Sequence, residues 1–371
     1  MKKFIKQKQP SKRDSLYSAS QWKLIWWKFC KHKTARISGF IVLLFLLFAL
    51  FAGFLAPGDP NKTNQNLTYA PIQSVRLFKD GSLFLHVRDY NVSIEPKAMR
   101  RVYSESATDV VALGFFVKGP NYRLFGLFES NTHLFGPKNP EQQVFLLGTD
   151  RLGRDVLTRT LYGSQISLSI GLVGVLLSLC IGVVLGGISG YYGNYVDTII
   201  QRTIEFLRSI PTIPLWMALA AALPLNWPPL RVYFFITIIL SLISWTGMAR
   251  VVRGRFMQLR EEDFVMAASL DGASKKHIMF KHMLPAFYSH IIATITLDIP
   301  NMILAETALS FLGLGLRAPI VSWGVLLQEA QSLRVVASAP WLLIPGIAVI
   351  IAVLSLNFLG DGLRDAADPY N

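Results

Sequence analysis

The residues able to do chemistry are few and are poorly spaced for catalysis. His277 and His282 lie five positions apart, whereas neighbours on one helix face lie three or four apart, so no helical metal pair is expected and both are read as facing solvent. His86 and His133 are the only histidines between residues 57 and 145, and no cysteine accompanies them. No H-E-x-x-H, G-x-S-x-G or G-x-x-x-x-G-K-[ST] pattern occurs, which removes the zinc protease, serine hydrolase and phosphate-loop readings. Cys30 and Cys180 are too few for a disulfide framework or a metal cage. No catalytic residue and no metal or cofactor bound by this chain is expected.

Charges inside apolar runs carry more information. Asp298, beside Pro300, and Glu306 interrupt an apolar stretch, and an unpaired charge in lipid is costly enough to mark a transport pathway. Either could instead pair with a neighbouring helix or sit in headgroup water, and for Glu306 that plainer reading is the expectation. Arg202, Glu205 and Arg208 have helix-face spacing and are read as internal ion pairs. The run Leu147-Gly148-Thr149-Asp150-Arg151-Leu152-Gly153-Arg154-Asp155-Val156, with Arg159 following, is predicted to form an ordered turn. Its ion pairs would hold an amphipathic helix on the membrane surface.

The elements that must position these residues are membrane spans. Of 371 residues, 52% are hydrophobic and 16% charged, too apolar for an ordinary soluble domain. The formal charge of +14 is concentrated at the start, where eleven Lys and Arg precede residue 37. That is the positive-inside signature of a cytoplasmic tail (1–36) and argues against a nucleic-acid partner. Six transmembrane helices are predicted near 37–56, 165–190, 196–223, 232–248, 286–306 and 341–358. Asp197, Arg202, Glu205 and Arg208 are placed at the cytoplasmic interface of the third, with Pro211 and Pro214 loosening it just inside.

Between the first two spans, 57–145 is predicted to be a β-rich extracytoplasmic insert. A hairpin pairs 75–79 with 82–87 through Asp80-Gly81, and a second pairs 110–118 with 122–128 around Gly119-Pro120-Asn121. Residues 146–163 are the interfacial segment, 164–360 the core with five spans, 249–285 a cytoplasmic loop and 361–371 a cytoplasmic C-terminal tail. The fold class is thus an all-α polytopic membrane protein with a β-rich insert, both termini cytoplasmic.

The 249–285 loop is long and amphipathic. Ala267 and Ala268 permit close helix approach, Gly272 permits a sharp reversal, and a second short helix with Ile278 and Phe280 stops at Pro285. This describes a helix–turn–helix knob suited to a groove on another protein, or else a solvated connector. The run Ala267-Ala268, Asp271-Gly272-Ala273, Ile278 and Leu284-Pro285 resembles the EAA loop of binding-protein-dependent ABC importer permeases, with Met266 in place of the motif's leading Glu. The segment from Gly148 through Thr149, Asp150, Gly153, Arg154 and Asp155 resembles that before the second span of C-type dipeptide/oligopeptide permeases. So do Leu309–Gly315, Trp323-Gly324 and Asn357–Asp365 with Asp368-Pro369. The resemblance covers 20–56 and 145–371 and leaves most of the insert outside it.

The resemblance implies the core of a type I ABC importer in the bacterial inner membrane, working with a second homologous permease, two ATP-binding subunits that use ATP and Mg, and an extracytoplasmic solute-binding protein. The 261–285 loop would couple to the ATPases, and the cargo would be di- or oligopeptides. A nickel complex or another small solute is the alternative cargo. A secondary transporter or channel would share the spans, but no inverted repeat is visible and the knob would be unexplained. A membrane enzyme is disfavoured for want of a catalytic set.

Overall fold

In the computed structural model, the structure describes residues 21–79, 82–96 and 100–367. The tail before residue 21, the Asp80-Gly81 turn and Asp368-Pro369 lie outside the described residues.

Helix α1 (Gln21–Lys31) leads into α2 (Lys33–Leu50), and α3 (Ala52–Leu55) continues it past Phe51. His32 caps α2, its Nδ1 accepting the Ala35 N–H at 3.2 Å. The core helices are α4 (Val156–Tyr192), α5 (Asn194–Ser209), α6 (Thr212–Ala221) and α7 (Pro229–Leu259). The knob holds α8 (Asp263–Leu270) and α9 (Lys275–His277). Then follow α10 (Tyr288–Phe311), α11 (Trp323–Leu327), α12 (Leu333–Ser338) and α13 (Ile344–Ala367). Among the described residues, α2, α4, α7, α10 and α13 with its preceding 3₁₀ turn are long and apolar enough to cross a membrane.

Three expected boundaries change. The third predicted span is not one helix but α5 and the ten-residue α6. Pro211 lacks an N–H and drives Ile210 into extended backbone (φ −86°, ψ 130°). The 146–163 segment is not a separate surface helix, because from Val156 it is the first part of the 37-residue α4. Arg250, Arg253 and Arg255 are not in a loop, since α7 runs on to Leu259.

The two longest helices touch along glycines four residues apart. A side chain at Gly182 would come within 2.7 Å of Met248, at Gly186 within 2.9 Å of the Ala249 Cα, and at Gly190 within 2.6 Å of the Arg253 carbonyl. Backbone thus lies on backbone, the contact that apolar helices in lipid need because no hydrophobic force drives them together. The Gly190 end of this seam continues into a core of Met248, Val252, Phe256, Met279 and Met283. That core carries the knob.

Between α3 and α4 stands a four-stranded antiparallel sheet in the order β1 (Arg76–Lys79), β2 (Ser82–Glu95), β3 (Arg100–Leu124), β4 (Phe128–Pro137). The second predicted hairpin is corrected: 110–118 and 122–124 belong to the one long β3, which pairs with β2 up to Ala112 and with β4 from Leu113 onward. Gly119-Pro120-Asn121 lies where the register shifts between Lys118 and Tyr122, a bulge rather than a turn. The turn falls at Phe125 and Gly126, both with positive φ.

Candidate functional site

Four constellations gather the chemically able residues. The first is the knob. Val265, Ile278 and Met279 point into the core, whereas Phe264, Met266 and Leu270 are exposed, Leu270 by 88%. Asp271 and Gly272 are also exposed. Asp271 N–H bonds the Ala267 carbonyl and Ala273 N–H the Ala268 carbonyl at 3.1 Å, closing α8 as Gly272 reverses the chain at φ +79°. Ser274 caps α9 by accepting the His277 N–H at 3.3 Å. Ile278–Met283 is a π-helical turn, which leads through the 3₁₀ turn Leu284–Phe287 containing Pro285 into α10. That turn changes the reading of His282 alone, since His277 is exposed as expected. A π turn makes residues five apart neighbours, and the His277 and His282 rings lie 5.4 Å apart, His282 half-buried. No group of three or more metal-ligating side chains exists among the described residues.

The second constellation surrounds Glu306, which is fully buried and so does not sit in headgroup water. Its Oε1 accepts from Ser310 Oγ and Ser322 Oγ, each at 2.8 Å, and its Oε2 from Ser167 Oγ at 3.3 Å. Ser167 in turn accepts the Trp323 N–H at 3.1 Å, and Trp323 Nε1 donates to the Thr160 carbonyl. One carboxylate therefore ties α4, α10 and the start of α11 together. Gly324 lies against Thr307 and Ser310, where a side chain would not fit.

The third is the Gly148–Asp155 turn. Asp150 accepts from Arg154 at 2.6 Å and lies 3.4 Å from Arg159, while Glu329, in the 3₁₀ turn after α11 and remote in sequence, lies 3.5 Å from Arg154 and accepts the Arg151 N–H. Burial, helped by Asp150, pushes the Glu329 carboxyl up; the Arg151 N–H and the two guanidiniums oppose it. Thr149 Oγ1 accepts the Ala70 N–H at 2.7 Å, and its carbonyl accepts Trp341 Nε1. Gly148 and Gly153 take positive φ with backbone pressed close. Asp155 caps α4 by accepting the Thr158 N–H at 2.8 Å. Glu329 carried no signal in the sequence, being a charged residue in an ordinary polar stretch.

The fourth is a cavity of ≈ 270 Å³ between α4, α6, α7 and α10, lined by Asp298, Asn301, Arg208, Ser178, Ser244 and Trp216 among others. The indole Nε1 of Trp216 is buried without a partner. Arg208 therefore parts company with the other charges of α5: Asp197 pairs with Arg253 at 2.5 Å and Arg202 with Glu205 at 2.7 Å. The structure brings Asp298 and Arg208 to one cavity and keeps Glu306 apart from it.

Long apolar helices packed around a cavity lined by charged and polar as well as apolar side chains, with a projecting helical knob, are the build of a membrane permease. The chain belongs to the family of binding-protein-dependent transport system inner membrane components, whose model matches residues 182–370. A model for the N-terminal TM domain of oligopeptide transport permease C matches residues 20–71. Among its relatives is the oligopeptide transport system permease protein OppC of Haemophilus influenzae, 34% identical over 75% of this chain and 89% of its own length. The OppC of Bacillus subtilis is 37% identical over 65% and 76%, and the dipeptide transport system permease protein DppC of that organism is 41% identical over 60% and 68%. Of solved structures, one of the MetNI methionine ABC transporter in an inward-facing conformation aligns with a TM-score of 0.43 at 16% identity, covering 56% of this chain and 94% of that one.

Proposed function

We propose that this chain is one of two permease subunits of an ATP-driven importer that moves di- or oligopeptides across the bacterial inner membrane. The observation that carries the reading is the knob. Met266 and Leu270 stand exposed on one flank and Phe264 on another of an α8 anchored by Val265 beneath, the form of a helix made to enter a groove. Two separate ATP-binding subunits would supply that groove and use ATP and Mg. Ala267, Ala268, Asp271, Gly272, Ala273, Ile278, Leu284 and Pro285 would transmit their closure to α7 and α10 as a rigid-body movement. Six crossings, with α5 and α6 together making the third, put both termini in the cytoplasm and the sheet outside, where a solute-binding protein delivers cargo. Asp298, in the cavity, is the pathway residue. Glu306 serves to hold the helices around it.

The test is co-purification of the chain from its native membrane, followed by an ATPase assay with solute-binding protein and peptide. A second permease and two ATPases, with hydrolysis stimulated by loaded receptor, are expected. A chain recovered alone or as a homo-oligomer without ATPase would overturn the proposal in favour of a channel or secondary transporter.

A further inference from the structure

The sheet descends along the end of the first membrane helix in a definite order. The His133 ring nitrogens face the Ala56 carbonyl at 2.6 Å and the Pro120 carbonyl at 3.0 Å. One turn lower Phe116 meets Phe54, ring centroids 6.2 Å apart, and Gly53 lies flat against the Tyr122 ring. Lowest of all, Phe125 packs edge-on against Phe51 at 5.7 Å. The β3–β4 turn thus points back toward the membrane. Residues 37–56 carry no charge and as a helix span about 30 Å, the thickness of the hydrocarbon layer. Phe51 is five residues, about 7.5 Å, short of their end, and so lies within the outer part of the layer.

The turn has the chemistry that this depth demands. Phe125, Leu127 and Phe128 are 48%, 77% and 64% exposed, and no charge occurs from Leu124 to Phe128. Two of its N–H groups are satisfied internally, Leu127 N–H by the Leu124 carbonyl at 3.0 Å and Gly126 N–H by the Arg123 carbonyl at 3.4 Å, and the other polar groups of the turn suit the interfacial region rather than the hydrocarbon centre. Immediately above, the cross-strand partners Arg123 and Glu129 form an exposed ion pair at 2.9 Å, at headgroup height. The apolar surface is also continuous. Phe40, Leu43, Leu47 and Leu50 are exposed along one face of α2, and that face runs through Phe54 and Phe51 to the turn.

We infer that the β3–β4 hairpin tip, Leu124–Phe128, is a lipid anchor that inserts into the leaflet on the sheet's side of the bilayer. It pins the sheet at a fixed height and tilt, with Arg123 and Glu129 in the headgroups and Phe125 and Phe128 acting as interfacial aromatics. The occupant is the bilayer because the tip continues the lipid-facing stripe of α2 and its flanking charges already neutralise one another.

The test uses the full chain in bacterial membrane vesicles, with Cys30→Ser and Cys180→Ser, carrying a nitroxide at Leu127→Cys or, as control, at Ser93→Cys on an exposed part of β2. Collision with oxygen, which partitions into lipid, and with a water-soluble nickel chelate are compared. At Leu127 oxygen is expected to dominate, and at Ser93 the chelate. Chelate dominance at Leu127 would place the tip in water, and exclusion of both reagents there would place it under a protein; either result overturns the inference. A Leu127→Asp chain still trafficked to the membrane but with its neighbouring label at Phe128→Cys moved into water gives a second confirmation, and an unmoved label counts against insertion.

Discussion

Removing the Glu306 carboxylate strands three serine hydroxyls that all donate to it. Glu306→Ala leaves them buried without an acceptor, at a cost of roughly 1–3 kcal/mol for each group left unsatisfied. A markedly lower melting temperature of the detergent-purified chain is expected, and Glu306→Gln, which keeps one acceptor oxygen, should fall between. Asp155 makes a pH prediction. Burial pushes its carboxyl up to about 6 from 3.8, with Asp150 adding to the rise, although the Thr158 and Leu157 N–H groups pull it down. Because the folded value is raised, the contribution to stability is fully present below the unfolded value and is lost as pH rises through about 6. Asp155→Asn keeps the cap and abolishes this loss. Its melting temperature should exceed the wild type's at about pH 8, the gap should narrow as pH falls through about 6, and it should close only below the unfolded value of 3.8. Asp298 and Glu306 were both legible as ionisable residues in an apolar run, but their environments were not. Ser167 stands 139 positions from Glu306, and nothing local distinguishes a hub from a cavity residue.

At the scale of elements, the α4–α7 seam leaves no room for growth. Gly186→Leu must separate the helices by pushing into the Ala249 backbone, and overpacking of this kind costs about 1–3 kcal/mol. Gly254, on the same α7, has nothing within 4 Å, so Gly254→Ala should gain up to about 1 kcal/mol through helix propensity. Thermal melts of the two variants should move in opposite directions. In the knob, Gly272→Val imposes a β-branched residue on a φ of +79°, at roughly 1–2 kcal/mol. An assembled complex whose ATPase no longer drives uptake is the expected phenotype, and normal uptake would refute the coupling role. The break before α6 was legible as Pro211. The second hairpin was not: Gly119-Pro120-Asn121 has the composition of a turn but is absorbed as a bulge, whereas the actual turn puts Phe125 at positive φ, a state phenylalanine does not advertise.

Across the whole molecule, composition and charge asymmetry were enough to identify a chain of membrane helices, because lipid leaves so few ways to satisfy a backbone. In the folded-back stretch between α10 and α13, Trp323-Gly324 was legible as a motif, but its short helices and the role of Ser322, Trp323, Glu329 and Trp341 in the networks were not. Its pieces are too short for periodicity to register, and their partners are remote in sequence.

The length of α7 has a final consequence. Its 31 residues extend about 46 Å, against a hydrocarbon layer of about 30 Å. Arg231, stacked over the Trp227 ring, holds its first turn at one interface, so the surplus of about 16 Å emerges at the other, about two Debye lengths at physiological ionic strength. The start of the knob at Asp263, four residues beyond the end of α7, is thereby lifted off the lipid surface, while Lys281 lies on the turn that leads back into α10. Exchanging anionic for zwitterionic lipid around the reconstituted chain and its proposed ATPase partners should therefore change ATPase stimulation less than added salt does, because the lifted part of the knob meets a protein rather than the bilayer.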